Sequence, residues 1–135
     1  MKVTVDTNVL VRSAVRDDEQ QARVADRVLR TAETAAVSLS CLCEFVWVLS
    51  GAYRFSRAEI ANTIESLCDA PNVVVNRPAV EVGLAMLRAG GDFADGVIAY
   101  EGRWLGGETF VSFDKKAVSL LAKQGSPAKL LADKK

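Results

Sequence analysis

Apolar and polar positions alternate along this chain in a regular succession of short and long segments. Short apolar, partly β-branched runs predict five strands, at residues 3–5, 36–39, 73–75, 109–112 and 129–131. Longer stretches that carry an apolar stripe predict helices at residues 8–16, 19–34, 41–50, 56–69, 78–90, 93–105 and 115–124. Strands that alternate with helices over short connections are typical of an α/β sandwich with a parallel sheet.

Helix boundaries are marked by capping residues. Ser40 is the predicted N-cap of the third helix, and Gly125 is the predicted C-cap of the last one. Ser56 and Glu59 form a capping-box signature at the start of the fourth helix. A chain of 135 residues, without linkers or repeats, is long enough for one core and predicts a single domain over residues 1–135.

Four acidic residues stand where a functional site of such a fold is expected. Asp6 and Asp114 each follow a predicted strand, and ligands of open α/β sheets bind outside the carboxyl ends of the strands. Glu44 interrupts the apolar run of a helix that is predicted to be buried on nearly all sides. Asp92 and Asp95 stand three residues apart and share one helical face.

Each acid also has a structural interpretation. Asp6 and Asp114 fit N-caps at strand-to-helix turns, and Asp92 with Asp95 fits a capping pair at a helix start. Glu44 fits a glutamate that is paired or that reaches solvent. The joint pattern favours one converged acidic site, because clustered carboxylates repel each other unless a cation lies among them. Mg²⁺ or Mn²⁺ prefers such oxygen ligands.

Composition narrows the chemistry further. The 135 residues include no histidine, which removes the usual general base and the commonest transition-metal ligand. Cys41, Cys43 and Cys68 are predicted to be buried thiols rather than zinc ligands. The 17 basic and 17 acidic residues cancel, so a nucleic-acid partner would need a local patch or bound cations. Neither a signal peptide nor a long apolar run is present, which predicts a cytoplasmic protein without a membrane segment.

Four segments together resemble the PIN-domain nucleases, specifically the VapC toxins of bacterial and archaeal toxin–antitoxin modules. They are VDTNVL at 5–10, CEFVWVL at 43–49, DFADGVIA at 92–99 and FVSFDKKA at 110–117. The resemblance implies a three-layer sandwich with a central parallel sheet of four to five strands. It also implies a Mg²⁺- or Mn²⁺-dependent endoribonuclease that forms a homodimer and is neutralised by a VapB-type antitoxin.

The resemblance also implies roles for individual residues. Asp6 and Asp95 would be the central metal ligands, while Glu44 and Asp114 would complete the catalytic site directly or through water. The residues that would orient carboxylates or water are Thr7, Asn8, Asp92 and Ser112. Ser112 stands where threonine is more usual, and Gly96 replaces an alanine and is expected to cost some helix stability.

Other residues carry weaker signals. Arg12, Arg16, Lys115 and Lys116 are candidates to hold an RNA backbone, or are solvated surface charges. Core packing is the prediction for Trp47, whereas Tyr53 and Phe55 are candidates to line a groove for an antitoxin helix.

Two other functions are alternatives to the nuclease. A haloacid dehalogenase-type phosphatase is disfavoured, because Asn8 and Leu10 stand where it needs aspartate and threonine. A PIN-like module that binds RNA or protein without catalysis stays open.

Overall fold

The computed structural model describes residues 1–132, and most of these residues are helical. The helices are α1 (Thr7–Val15), α2 (Glu19–Thr31), α3 (Leu39–Gly51), α4 (Arg57–Asp69), α5 (Arg77–Arg88), α6 (Phe93–Trp104) and α7 (Lys115–Lys123). The strands are β1 (Lys2–Thr4), β2 (Thr34–Ala36), β3 (Val73–Val74), β4 (Phe110–Ser112) and β5 (Ala128–Leu130). Residues 133–135 lie outside the described part of the chain.

The predicted three-layer sandwich with a central sheet of four to five strands is wrong. Within residues 1–132 the strands form a three-stranded sheet, β1-β2-β3, and a separate two-stranded sheet, β4-β5. Every strand pair is parallel, as predicted. Short apolar runs identify strands, but a run of two or three residues does not specify its hydrogen-bonding partner. The sequence therefore predicts the order of strands and helices, but it does not predict which strands pair with each other.

The chain divides into two compact units, Met1–Arg77 and Pro78–Lys135. In the first unit β2 is the central strand, α1 packs against α2 and α3, and α3 packs against α4. The apolar stripes of these helices supply its largest fully buried side chains, which are Leu42, Phe45, Leu49, Ile60 and Ile64. This packing holds the carboxyl end of β1 beside α3.

The second unit packs α7 against β4 and β5 and brings α5 and α6 together. A Cβ on Gly96 would lie 2.7 Å from the carbonyl oxygen of Val82, and one on Gly83 would lie 2.7 Å from the ring of Phe93. The two helices therefore meet at a distance that excludes side chains at both glycines. Gly96 was expected to cost helix stability, and the structure adds a packing reason for its presence.

The three capping predictions have different outcomes. The Ser56 box is confirmed, since Ser56 and Glu59 exchange both side-chain hydrogen bonds with each other's backbone. The N-cap predicted at Ser40 is wrong. The third helix begins earlier, at Leu39, and the Ser38 hydroxyl accepts the Cys41 N–H at 3.1 Å. The predicted C-cap at Gly125 is one residue late, because Gln124 is the cap and Gly125 follows it with a φ of 87°, a conformation that suits glycine.

Candidate functional site

Asp6 and Asp114 occupy the same local position in their two units. Each lies two residues after a parallel strand and is the N-cap of the following helix. Oδ1 of Asp6 accepts the Thr7 N–H at 2.9 Å, and Oδ1 of Asp114 accepts the N–H of Lys116 and Ala117 at 3.0 and 3.2 Å. Oδ2 of both residues makes no hydrogen bond within residues 1–132. The cap fixes each carboxylate while leaving one of its oxygens available.

Glu44 lies on an exposed face of α3, which corrects the prediction of a helix that is buried nearly all round. Phe45 and Val46 do face the core, but Glu44 and Trp47 share the solvent side. The Thr7 hydroxyl donates to Oε1 of Glu44 at 2.5 Å. Since Thr7 directly follows Asp6, this bond ties the carboxylate on α3 to the end of β1.

A cavity of about 370 Å³ lies at this end of β1. Its lining includes Asp6, Thr7, Ser38, Cys41 and Glu44, and none of its described lining residues is Lys or Arg. Burial raises the pKa of the Cys41 thiol. The hydrogen bond from Thr7 opposes this effect, while the charges of Asp6 and Glu44 add to it. Cys41 is therefore a neutral thiol at neutral pH, and the formal charge of the cavity comes from its two carboxylates.

The second unit holds an acidic group made of Asp92, Asp95 and Asp114. Asp95 lies half-buried in the first turn of α6, and burial raises the pKa of its carboxyl. The negative charges of Asp92 and Asp114 raise it further. Asp92 is the N-cap residue of α6 but makes no side-chain capping bond. This group lacks an internal donor that would stabilise the ionised form of Asp95.

Two further residues that were predicted to orient the site have clear positions. The Ser112 hydroxyl, at the end of β4, accepts the backbone N–H of Asp114 at 2.9 Å. Asn8 is exposed in the first turn of α1, where it lines a different, larger groove between α1 and α2. Sequence reasoning missed that groove, whose other polar side chains include Gln20 and Gln21. The spacing of Asn8 and Arg12, one helical turn apart, was the available signal.

The candidate phosphate-binding arginines are engaged with carboxylates. Arg12 donates to Asp17 at 3.1 Å. Arg16 donates to Asp26 at 2.6 Å and to Glu19 at 2.9 Å, and these hydrogen bonds raise the pKa of its guanidinium. Lys115 and Lys116 are exposed beside Asp114. Exposed ion pairs of this kind are weak, so a polyanion would compete for them.

The aromatic residues around the end of α3 differ from expectation in one respect. Trp47 is 77% exposed, so the prediction that it belongs to the core is wrong. The helix turns Phe45 and Val46 inward, which leaves the position three residues after Glu44 facing solvent. Tyr53 and Phe55 are both partly exposed, and the Tyr53 hydroxyl donates to Asp17 at 3.3 Å.

The donor types fit a hard divalent cation, although no large ligand group is preformed. Within residues 1–132 no three Asp, Glu, Cys or His side chains are placed to hold a metal ion together. Mg²⁺ is often bound by one or two carboxylates, with water and substrate phosphates completing its shell. Taken separately, each unit meets that lesser requirement: the first offers the uncapped oxygen of Asp6, and the second offers the carboxyl groups of Asp95 and Asp114.

Comparison with protein-family models and with curated proteins found no match for this chain. The resemblance to PIN-domain nucleases therefore rests on the four segments themselves. Over the part of the chain that the structure describes, no helix is long and apolar enough to cross a membrane.

Proposed function

We propose that this protein is a metal-dependent endoribonuclease, the VapC-type toxin of a toxin–antitoxin pair. It would hydrolyse phosphodiester bonds in tRNA, rRNA or mRNA with Asp6, Glu44, Asp95 and Asp114 and thereby inhibit translation. The observation that carries the proposal is the cavity at the carboxyl end of β1, which is lined by two carboxylates and by no Lys or Arg among the described residues. The order of the four PIN-like segments supports the same reaction.

In this proposal Asp6 and Asp95 are the metal ligands, and Glu44 and Asp114 act directly or through water. A bound Mg²⁺ or Mn²⁺ would supply charge neutralisation at the phosphate and a more acidic water. Three hydrogen bonds hold the proposed site residues in position for this chemistry. The Thr7 N–H holds Asp6 in place, the Thr7 hydroxyl directs Glu44, and the Ser112 hydroxyl fixes the backbone of Asp114.

The proposed partners follow from the same resemblance. A helix of a VapB-type antitoxin would bind in a groove of the toxin that Tyr53 and Phe55 line. Two copies of the toxin would form a homodimer in the cytoplasm. Replacing Tyr53 and Phe55 with alanine should weaken antitoxin binding while RNA cleavage persists. Unchanged affinity would remove these two residues from the groove.

One observation favours the second candidate, a PIN-like domain that binds RNA or a protein without cutting. The described residues contain no group of three potential metal ligands. A binding module needs no such group, whereas the nuclease must complete its metal shell with water and substrate. Metal-dependent cleavage separates the two functions.

The test is to incubate purified protein with pooled RNA in Mg²⁺, in Mn²⁺ and in EDTA. If the protein is a nuclease, RNA should be cut in Mg²⁺ or Mn²⁺, and EDTA should abolish this cleavage. Glu44→Gln should strongly reduce the cleavage rate. Glu101→Gln, which changes an exposed glutamate on α6, is the matched control and should cut normally. Intact RNA in every metal condition, with the protein folded, would leave the binding module as the better account.

A further inference from the structure

A groove between α1 and α2 of the first unit lies outside the acidic sites. It has a volume of about 680 Å³, within the ~300–1,000 Å³ range of small-molecule sites. Asn8 and Arg12 contribute from α1, and Asp18, Gln21 and Val24 contribute from α2. The groove begins two residues after Asp6, so a ligand in it would lie along the helix that Asp6 caps.

The lining combines apolar side chains with groups that donate and accept hydrogen bonds. Val9, Val24 and Val28 provide the apolar part, and Val24 is 60% exposed although it is aliphatic. The side-chain amides of Asn8 and Gln21 each offer both a donor and an acceptor. Neither amide makes a hydrogen bond with another residue of the described chain. Nucleobases present this combination, a π-face and an edge with donors and acceptors.

The charges of the groove argue against a phosphate as its main ligand. Arg12 is the cation of the lining and Asp18 is its anion, so the two formal charges cancel. Arg12 also donates Nη1 to Asp17, while its other guanidinium nitrogens make no ion pair. A groove for an amphipathic helix would be dominated by apolar side chains, whereas five of the nine described lining residues here are polar or charged.

The geometry points to a nucleobase-binding subsite in the α1–α2 groove, selective for guanine. Guanine carries acceptors at O6 and N7, which arginine recognises, and donors on its other edge, which a carboxylate accepts. Arg12 and Asp18 supply this pair of partners in one groove. The inference rests on the proposed function in one respect, namely that the ligand is RNA.

The experiment measures the binding of labelled U-rich hexaribonucleotides in which one central base is A, C, G or U. EDTA is present throughout, so binding is read by fluorescence anisotropy without cleavage. Wild-type protein should bind the guanine-containing hexamer about tenfold more tightly than the others, the size expected for a good base contact.

Three variants test the assignment to these residues. Asp18→Asn keeps an N-cap side chain for the Gln21 N–H but removes the charge, and should abolish guanine selectivity. Arg12→Lys keeps the charge but loses the planar fork, so selectivity should fall while overall binding persists. Arg23→Ala removes an exposed arginine of α2 that does not line the groove, and should leave selectivity intact.

Equal binding of all four hexamers, or selectivity that survives Asp18→Asn and Arg12→Lys, would overturn the subsite. That result would leave the groove to another class of ligand, such as a protein helix. The nuclease is judged separately, by cleavage in Mg²⁺. Selective binding without cleavage refutes the nuclease and keeps the subsite, whereas cleavage without selective binding does the reverse.

Discussion

The hydroxyl of Thr7 and the carboxylate of Glu44 are joined by a hydrogen bond of 2.5 Å across 37 residues of sequence. Thr7 is buried and begins α1, while Glu44 is exposed on α3. The bond therefore fixes the direction of a surface glutamate from a rigid point at the end of β1. Its acceptor is solvated, so its main consequence is orientation rather than stability.

Replacing Thr7 with valine tests that role. Valine preserves the shape of the buried side chain and removes the donor, so Glu44 should lose its fixed orientation. RNA cleavage should fall by about 10–100-fold, the usual cost of losing a partner that orients a metal ligand. Thr7→Ser keeps the hydroxyl and should retain most of the rate. Equal rates for Thr7→Val and wild type would show that the bond is dispensable.

Gly96 and Gly102 form a matched pair within α6. Alanine at Gly96 would meet the backbone of α5, so Gly96→Ala should lower the free energy of unfolding by about 1–3 kcal/mol. A Cβ at Gly102 meets nothing within 4 Å, so Gly102→Ala should raise that free energy by about 0.5–1 kcal/mol. Urea denaturation of the two variants measures both changes. Similar values for the two variants would contradict the close approach of α5 and α6.

Asp114 combines a proposed catalytic role with a capping role, and two substitutions separate them. Asp114→Ala removes the cap and should cost about 1 kcal/mol of unfolding free energy. Asp114→Asn keeps an acceptor for the N–H of Lys116 and Ala117 and should cost only a few tenths. Both should impair cleavage, because both lack the charge. Full activity in Asp114→Asn would confine this residue to capping.

The pKa of Asp95 predicts a conflict between function and stability. Because burial, Asp92 and Asp114 raise that pKa above its ordinary value of 3.8, the ionised carboxyl destabilises the folded state. In EDTA at neutral pH, Asp95→Asn should therefore melt at a higher temperature than wild type. This difference in melting temperature should shrink as the pH falls through the raised pKa of Asp95, because the folded wild-type protein takes up the proton at a higher pH than the unfolded chain does. Below the ordinary pKa of 3.8 the difference should no longer change with pH.

Mg²⁺ provides the complementary measurement on Asp95. An ion that binds only the folded protein raises its melting temperature. Mg²⁺ should therefore raise the melting temperature of the wild-type protein by more than it raises that of Asp95→Asn. A lower melting temperature for Asp95→Asn in EDTA at neutral pH would show that Asp95 stabilises the fold and is not a repelled carboxylate.

The sequence predicts local structure here better than it predicts assembly. The strand after Met1, the Ser56 box and the Asp6 and Asp114 turns are encoded by neighbouring residues, and all are found close to their predicted positions. The division of five strands between two sheets depends on pairing between distant segments of two or three residues. Nothing in such short runs distinguishes one partner from another.

The candidate site follows the same rule. Asp6, Asp95 and Asp114 are recognisable because they follow strands or open helices, and Glu44 because it interrupts an apolar run. The exposure of Glu44 and Trp47 was not recognisable, because most of the thirteen residues of α3 are apolar and the pattern does not show which side faces solvent. The α1–α2 groove was missed for a related reason, since its polar residues come from two helices that only tertiary packing brings together.

The most direct test of the central claim is the single-turnover rate of RNA cleavage in Mg²⁺ for wild type, Asp6→Asn and Asp95→Asn. Asparagine keeps the cap at Asp6, so the loss of charge is measured on a folded protein. We expect both variants to cut at least about 100-fold more slowly than wild type. This loss is larger than the one expected when a residue that only orients a metal ligand is replaced. Asp69→Asn, an exposed control at the end of α4, should cut normally. Wild-type rates in both Asp6→Asn and Asp95→Asn would contradict the proposal that these acids carry the reaction.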